Sequence, residues 1–384
     1  MNLKSLPIMV LAWCACAVPA KDAGLVDDDG GGSTGATADS GDSGDATPAT
    51  TPDDAQALFS IGPDRYVEHL IATDDGVIAV IESLEPSSET APVTVVGLTA
   101  ALEPMWEVSL GDAEIYDAAP TPDGGVVLAG FTKSAGGPQI PVAWKLSCCG
   151  QLEYEQSYLD GTGSRVLRAA QPLGDGFVVV LQEELPFEAT VVWTGPDLVA
   201  TTSASAIPLW VADASVDAAG DVVLLGLEGD IGPETPAVLV EVSADAVGDG
   251  VGLGVGLGLA GRGETLSLLT FDGLELGFRP YEGGMTQTVP IPDFEKGLMV
   301  ADHTTRYVFA QAWAEGEPLR VGGTIVEFDA SGTVLREIML VPEGPSGSVK
   351  ATAVALGSDD ALYFALDEGD GVSPASTLYR IDAP

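Results

Sequence analysis

Three of the scarce basic residues share one spacing relative to an aspartate. The chain has 15 Lys and Arg against 58 Asp and Glu, and Arg65, Arg165 and Lys350 each lie ten positions before an aspartate. Arg168 follows Arg165 closely and is considered with them. Guanidinium and ammonium groups gathered in one place are suited to hold a carboxylate or another small anion. The spacing predicts a site for a small anionic ligand, unless each cation pairs with an Asp or Glu of a neighbouring repeat and braces the fold.

Catalytic motifs are missing from the part of the sequence that can fold. His69 and His303 are the two histidines, and they stand alone, which argues against a His-based zinc site and favours a structural role for each. Residues 55–384 contain no nucleophile elbow. Glycoside hydrolysis needs two carboxylates at a set separation, and among 58 acids such pairs arise by chance. We therefore predict no catalytic residue, no metal site and no cofactor.

Cys148 and Cys149 are adjacent in the chain. Cα atoms joined by a trans peptide lie about 3.8 Å apart, which is closer than the usual disulfide range of about 4.4 to 6.8 Å. A bond between these sulfurs would be strained and easily reduced. In an oxidising compartment we expect this vicinal disulfide to staple a turn, and a redox or metal role is disfavoured because the predicted domain has no second cysteine pair.

The N-terminus has the pattern of an export signal over residues 1–20. Lys4 precedes an apolar stretch, Leu6 to Val18, which is too short to span a membrane. Two cleavage sites compete: a leader-peptidase site at Val18-Pro19-Ala20, or a lipoprotein site in which Cys14 or Cys16 carries the lipid. Residues 21–54 are an acidic Gly/Ser/Thr linker that cannot pack, which we expect to be disordered. Similar tethers hold bacterial surface lipoproteins off their membrane, which favours the lipoprotein alternative.

The net charge of −43 limits the partners of this protein. A field of this sign repels nucleic acid and anionic lipid, so we exclude nucleic acid, and membrane contact except through a lipid anchor. The remaining partners are an unknown protein or a small anionic ligand. We expect a monomer.

Seven apolar runs recur between residue 55 and the C-terminus. Their first residues are 49, 51, 45, 44, 41 and 55 positions apart. The runs are Val77–Ile81, Val126–Phe131, Phe177–Leu181, Val222–Leu227, Leu266–Phe271, Tyr307–Trp313 and Leu362–Leu366. A period of this length, with several strands in each repeat, is the signature of a β-propeller blade. The absence of alternation is typical of strands that are covered on both faces.

The repeats predict an all-β, seven-bladed β-propeller over residues 55–384. A turn rich in Asp and Gly precedes most runs, and such turns supply the positive φ of tight hairpins. The last repeat has no fourth strand, while Leu58–Ile61 stands alone before the first. We expect this N-terminal strand to pair with the last blade and close the ring, which removes exposed edges. The alternative is six blades, because Gly250–Gly258 is Gly-rich and could be a flexible insertion.

Two segments carry a resemblance to a known family. Thr121–Gly130, TPDGGVVLAG, and more weakly Phe328–Val334, FDASGTV, resemble the Asp-Gly-Gly hairpins of secreted bacterial β-propeller proteins. The resemblance implies a propeller fold and a site of action outside the cytoplasm. It implies no activity, because these proteins have none in common.

Placed on a propeller, the four cations lie where the innermost strands begin, at one mouth of the central channel. The loops between second and third strands open on the same face and are mostly acidic, so we expect a basic ring inside an acidic rim. The function that follows is that of a non-enzymatic binding or scaffold module at the bacterial envelope. We expect the protein to be a lipoprotein of the outer membrane or cell surface, or to be secreted or periplasmic. The alternative is a propeller hydrolase or lyase acting on extracellular carbohydrate, and a third candidate is a Ca²⁺-dependent adhesion protein.

Overall fold

The computed structural model describes most of the chain beyond residue 55. The described ranges are 56–83, 91–133, 139–158, 165–184, 187–227, 237–254, 256–263, 265–271, 275–281, 286–290, 296–303, 306–315, 320–341, 348–369 and 375–382. The export signal, Cys14, Cys16 and the acidic linker lie outside these ranges. So do parts of the loops between second and third strands that we predict to form the acidic rim.

All regular structure in these ranges is β-strand. In chain order the strands are β1 (Gln56–Pro63), β2 (Arg65–Thr73), β3 (Gly76–Ser83), β4 (Ala91–Thr99), β5 (Pro104–Pro120), β6 (Val126–Lys133), β7 (Gln139–Leu146), β8 (Leu152–Ser157), β9 (Arg165–Leu173), β10 (Gly176–Glu184), β11 (Phe187–Thr194), β12 (Ala200–Ile207), β13 (Trp210–Val216), β14 (Val222–Leu227), β15 (Ala237–Val242), β16 (Val251–Gly254), β17 (Gly256–Ala260), β18 (Ser267–Phe271), β19 (Glu275–Pro280), β20 (Gln287–Pro290), β21 (Lys296–His303), β22 (Arg306–Glu315), β23 (Arg320–Asp329), β24 (Val334–Leu340), β25 (Ser348–Leu356), β26 (Leu362–Gly369) and β27 (Ala375–Ile381). The described residues contain no helix that could cross a membrane.

Successive strands pair antiparallel in groups of four, which we number in chain order. Group 1 is β2–β5, group 2 is β5–β8, group 3 is β9–β12, group 4 is β13–β16, group 5 is β17–β20, group 6 is β21–β24, and group 7 is β25–β27 with β1. The long strand β5 belongs to two groups, because its first half pairs with β4 and its second half with β6. The first strand of each group is called the innermost strand below.

The strand pattern predicted from the apolar runs agrees with the structure. Each of the seven runs forms or overlaps the second strand of its group, from β3 to β26. The Gly-rich stretch Gly250–Gly258, which could have been an insertion, contributes two strands instead. β16 pairs with β15 and completes group 4, and β17 pairs with β18 and begins group 5.

The N-terminal strand pairs with the last strand of the chain, as the sequence predicts. β1 runs antiparallel to β27, with Phe59 opposite Leu378 and Ser60 opposite Thr377. The fourth position of group 7 is therefore filled by the residues that begin the described chain. This pairing joins the two ends of the folded region by backbone hydrogen bonds.

The hydrophobic core is divided among the interfaces between groups. Each of seven clusters of buried apolar side chains combines residues from two successive groups, and one of the seven combines group 7 with group 1. In that cluster Val67 and Val77 pack with Tyr363 and Leu378. Burial on both faces explains why the second strands are apolar without alternation.

Every innermost strand carries one bulged residue where its register with the second strand shifts. These residues are Glu68, Tyr116, Arg168, Ala212, Leu257, Gly297 and Thr352. A β-bulge sharpens the local twist and turns a side chain away from the regular pleat. The bulge thus defines one repeated position near the start of the innermost strands, and its residue type differs from group to group.

The two hairpin motifs of the family resemblance form tight turns. In the first, Thr121 N–H bonds to the carbonyl of Gly125 at 3.0 Å, and Gly124 has φ of 79°. In the second, Asp329 N–H bonds to the carbonyl of Thr333 at 3.0 Å, and Gly332 has φ of 85°. Glycine adopts this left-handed conformation at no steric cost.

Candidate functional site at the start of the innermost strands

Arg168 lies between two aromatic rings contributed by neighbouring groups. Its guanidinium carbon is 4.4 Å from the centre of the Tyr116 ring and 5.3 Å from that of Trp210. Arginine stacked on aromatic faces gains cation–π energy, and its N–H edge stays suited to bidentate recognition of a carboxylate. We call Tyr116, Arg168 and Trp210 the cationic arc.

The three residues meet because they occupy nearly the same level of successive innermost strands. Tyr116 is the bulged residue of β5 and Arg168 that of β9, while Trp210 stands two residues before the bulge of β13. β9 packs against both β5 and β13. Side chains at this level therefore converge even though they are separated by about fifty residues along the chain.

Arg168 lacks an anionic partner within the described part of the chain. No described carboxylate forms an ion pair with it, and its Nε atom is buried without a hydrogen bond. A buried donor left without an acceptor costs free energy. An added carboxylate would relieve that cost.

The other two predicted arginines already have partners in their own groups. Arg165 donates through Nε to Glu183 Oε1 at 2.7 Å, and Glu183 is its direct neighbour across the β9–β10 pair. Arg65 donates through Nη2 to Thr94 Oγ1 at 2.9 Å. Neither contact is the bracing between neighbouring repeats that the sequence left as the alternative.

Lys350 does not share the position of Arg65 and Arg165. Those two residues stand three before the bulge of their strands, opposite Ser83 and Glu183, whereas Lys350 stands two before its bulge, opposite Asp367. The ten-residue spacing from the turn aspartate predicted the wrong position for Lys350, because the turns after the innermost strands differ in length. Thr73 pairs directly with Gly76, but five residues separate the paired Leu356 and Leu362.

A second set of polar side chains lies at the same level in groups 1 and 2. Tyr66 donates its hydroxyl to Glu82 Oε2 at 2.8 Å, and Glu82 Oε1 accepts the backbone N–H of Ile115 at 3.2 Å. Glu68, the bulged residue of β2, is close enough to Glu82 and Glu114 for their charges to raise its pKa. We call Tyr66, Glu68, Glu82 and Glu114 the acidic arc.

Burial shifts the pKa values of two carboxyl groups in the acidic arc. Burial, followed by the nearby charges of Glu82 and Glu114, raises the pKa of Glu68 to about 8. Burial also raises the pKa of Glu82, although its hydrogen bonds from Tyr66 and Ile115 oppose the shift. Near neutral pH Glu68 is therefore mainly the neutral acid, which is able to donate a proton.

Sequence reasoning missed the acidic arc. Among 58 acidic residues nothing distinguished these three carboxyl groups before the strands were paired. One signal was present: Tyr66-x-Glu68 in β2 and Glu114-x-Tyr116 in β5 end at equivalent bulges. Alignment of the innermost strands on their bulges, rather than on their turns, reveals it.

Buried polar side chains also join successive innermost strands. Gln182 occupies in group 3 the place that Glu82 has in group 1, and its Oε1 accepts the N–H of Val211 at 2.8 Å. Asp117 accepts the N–H of Ala170 at 3.0 Å, and Asp213 accepts that of Leu259 at 2.8 Å. Burial raises the pKa of Asp117 to about 6 and that of Asp213 to about 7.

His69 contacts a backbone carbonyl oxygen rather than a group of metal ligands. His69 is half-buried on β2, with Nε2 3.3 Å from the carbonyl oxygen of Ile115, and desolvation lowers its pKa to about 4. It is therefore neutral at physiological pH. His303 ends β21. Within the described ranges no three His, Cys, Asp or Glu side chains are grouped as metal ligands.

Cys148 and Cys149 lie in the exposed turn between β7 and β8, as the sequence predicts. Their sulfur atoms are 3.5 Å apart and unbonded in this structure. Trp106 of group 1 donates its indole N–H to the carbonyl of Cys148 at 2.8 Å. The structure contains the two thiols side by side but not the bond, so the vicinal disulfide stays a prediction.

Comparison with known proteins informs the fold but not the activity. No family model and no curated protein matches the chain. The β-propeller domain of the Trilobed protease from Pyrococcus furiosus, described as having an open velcro topology, is 11% identical over 84% of this chain and 96% of that chain, with a TM-score of 0.50. An acylaminoacyl peptidase in complex with Z-Gly-Gly-Phe-chloromethyl ketone is 11% identical over 83% of this chain, also with a TM-score of 0.50.

A third structure, the uncomplexed acylaminoacyl peptidase of Pyrococcus horikoshii, is 12% identical over 81% of this chain, with a TM-score of 0.48. The match covers 52% of each of the two acylaminoacyl peptidase chains, so this chain spans about half of their length. At such identities the likeness concerns the fold alone. The fold is a β-propeller.

Proposed function

We propose that this protein is a non-enzymatic binding module whose propeller holds a small carboxylate-bearing ligand, or a carboxylate of a partner protein, at the cationic arc. One observation carries the proposal: Arg168 is stacked between Tyr116 and Trp210, and no described carboxylate pairs with it. In a chain with 58 acidic residues, a guanidinium with no such partner at a channel mouth is suited to an anion from outside.

The architecture proposed for this function is a closed ring of seven blades, with groups 1 to 7 as the blades. Support comes from the antiparallel pairing of β1 with β27 and from the hydrophobic cluster shared by groups 7 and 1. In a closed ring the innermost strands surround one channel, and the bulged residues encircle its mouth. The acidic and cationic arcs would then be adjacent parts of a single rim.

The proposed place of action is outside the cytoplasm, at the bacterial envelope. The support is the N-terminal signal pattern with its candidate lipidation cysteines, Cys14 and Cys16, and the acidic linker that follows. A net charge of −43 disfavours nucleic acid and anionic membrane surfaces as partners. We propose a monomeric, lipid-anchored or secreted module.

The test is a calorimetric titration with benzoate, whose carboxylate can contact Arg168 and whose planar ring can contact the neighbouring aromatic side chains. We expect the wild type to bind benzoate at this site. Arg168→Ala should lose at least about tenfold of that site's affinity, or about 1.4 kcal/mol, because it removes the guanidinium that would hold the carboxylate. Arg168→Lys keeps the charge but not the planar, stacked fork, and should bind with intermediate affinity.

Arg279→Ala is the matched control, because Arg279 is exposed on β19 and belongs to neither arc. It removes one positive charge at a distance and should leave the titration unchanged. Urea unfolding of all variants would show that the loss in Arg168→Ala is not a loss of folding. Equal binding by wild type and Arg168→Ala would refute the site.

The acidic arc supports a second candidate, an acid–base hydrolase or lyase that acts on carbohydrate. The observation that favours this candidate is that Glu68, with a pKa of about 8, lies near the carboxyl groups of Glu82 and Glu114. A general acid with a second carboxylate nearby is the arrangement that glycoside hydrolysis uses. Release of reducing ends or of unsaturated products from a polysaccharide panel, abolished in Glu68→Gln, would favour this candidate. No turnover by the wild type would favour the binding module.

A further inference from the structure

A cavity lies at the opposite end of the innermost strands from Arg168. Its volume is about 340 Å³, and it is formed where the innermost strands of groups 2 to 5 end and turn. Pro122, Pro172, Leu173 and Val216 give it apolar walls, and Arg262 is its cation. The volume is at the lower end of the range for sites that take small molecules, about 300 to 1,000 Å³.

The backbone on both sides of Arg262 is held firmly against group 4. Ser215 Oγ donates to the carbonyl of Gly261 at 2.7 Å, and Gly263 N–H donates to the carbonyl of Val216 at 2.7 Å. Gly263 also forms an isolated parallel bridge with Asp217. This turn therefore presents Arg262 from a fixed position, and ordering it on ligand binding would cost little backbone entropy.

The side chain of Arg262 reaches from group 5 to group 2. Its Nη1 atom is 3.4 Å from the carbonyl oxygen of Pro120, a residue 142 positions away in the chain. This distance exceeds the usual range of about 2.7 to 3.2 Å for N–H···O bonds, so the contact is weak. The guanidinium has four other N–H donors in a fork that matches a carboxylate.

This guanidinium has no ion-pair partner among the residues that the structure describes. Arg262 forms no ion pair among them. The acidic residue at the cavity, Asp217, uses its Oδ1 atom to accept the N–H groups of Ala219 and Asp221 at 2.9 Å each. The cavity thus combines one weakly held cation, an apolar wall and one carboxylate whose Oδ1 atom is engaged by backbone N–H groups.

We propose that this cavity is a second ligand site, for a small organic anion that has both a carboxylate and an apolar body. The carboxylate would take a bidentate contact with Arg262 in place of the weak bond to Pro120. The apolar part would cover Pro122, Pro172, Leu173 and Val216. An inorganic anion would gain only the first of these contacts, and an uncharged aromatic molecule only the second.

The experiment isolates this cavity from the cationic arc by using Arg168→Ala as the starting protein. Calorimetric titration of that variant with benzoate should show one remaining site. Adding Arg262→Ala should weaken its affinity by at least about tenfold, or about 1.4 kcal/mol, while adding Arg279→Ala should change nothing. Benzyl alcohol and inorganic phosphate, as partial probes, should each bind more weakly than benzoate.

Arg262→Lys, which keeps the charge but not the fork, guards against a folding artefact and should bind benzoate with intermediate affinity. The proposal is overturned if Arg168→Ala does not bind benzoate at millimolar concentration, or if the double variant Arg168→Ala/Arg262→Ala binds it equally well. Because Arg168 is absent throughout, either failure leaves the proposal for the cationic arc unaffected. A crystal soaked with benzoate would show directly which end of the strands is occupied.

Discussion

The acidic and cationic arcs occupy the same level of the propeller, yet they are built differently. Glu68 and Arg168 both sit at the bulge of an innermost strand, one with a pKa raised to about 8 and the other stacked between two rings. In the acidic arc the polar groups satisfy one another, because Tyr66 and Ile115 both donate to Glu82. The cationic arc instead has a guanidinium without a described carboxylate partner.

A comparison of Glu82 with the residue at the equivalent position of group 3 shows whether the fold requires a charge there. Gln182 fills the equivalent position in group 3 and accepts the N–H of Val211, as Glu82 accepts that of Ile115. An uncharged amide therefore provides the same hydrogen bond between neighbouring innermost strands. The fold needs an acceptor at this position but not a charge, so the charge of Glu82 is a feature of the acidic arc itself.

The largest effect should come from removing that acceptor. Glu82→Ala removes the acceptor of the Ile115 N–H and one acceptor of the Tyr66 hydroxyl, and we expect a loss of about 2 to 4 kcal/mol in the free energy of unfolding. Glu82→Gln should cost less than about 1 kcal/mol, because it reproduces the arrangement at Gln182. Urea unfolding measures both. Equal losses in the two variants would mean that the charge, too, is required for folding.

The next effect concerns the stack of the cationic arc. Trp210→Ala removes a half-buried ring and should cost about 2 kcal/mol in unfolding free energy. A double-mutant cycle with Arg168→Ala should give a coupling of about 0.5 to 1 kcal/mol between the two side chains. A coupling near zero would show that the contact contributes no stability and would weaken the case for a rigidly held guanidinium.

The pH dependence of stability should separate the two arcs more finely. Glu68 has a folded pKa of about 8, above its unfolded value, so the native state binds the extra proton. Its stabilising contribution is fully present below the unfolded pKa and is lost as pH rises through 8, with a slope of at most about 1.4 kcal/mol per pH unit.

Asp117 and Asp213, with pKa values raised to about 6 and 7, also make stability fall as pH rises, but by pH 7 Asp117 is largely titrated and Asp213 about half titrated. His69 acts below pH 6.5, where its lowered pKa makes the native state lose stability as pH falls. The interval from pH 7 to 8 therefore reports mainly on Glu68 and to a smaller extent on Asp213, which is unchanged in Glu68→Gln. Melting temperatures of the wild type should fall across it, and those of Glu68→Gln should fall less. Identical curves would contradict a neutral Glu68.

The smallest effect should come from the cysteine turn, which is remote from both arcs. Cys148→Ser and Cys149→Ser should change stability by no more than a few tenths of a kcal/mol, as is usual for exposed positions. They should not alter the benzoate titration. Thiol counting on protein purified without reductant tests the vicinal disulfide, and two free thiols in the folded domain would refute it.

Much of the fold could be predicted because burial on both faces leaves a direct trace in the residues. The unbroken apolar runs marked the second strands, and the unpaired Leu58–Ile61 segment predicted the contact between β1 and β27. The relative positions of the basic residues were predicted less well. Arg65 and Arg165 were correctly placed at one level, but Lys350 was not, since a longer turn in group 7 shifts the count.

The sequence by itself determined the repeated strand order, the paired ends of the folded region and the excess of acid. These features depend on local pattern and composition, which need no knowledge of neighbours. Only the tertiary structure decided that Arg168 stacks between Tyr116 and Trp210 and that three carboxyl groups gather around Tyr66. The physical reason is that a one-residue bulge in each innermost strand reorients its side chain, and its position becomes clear only when two strands are set in register.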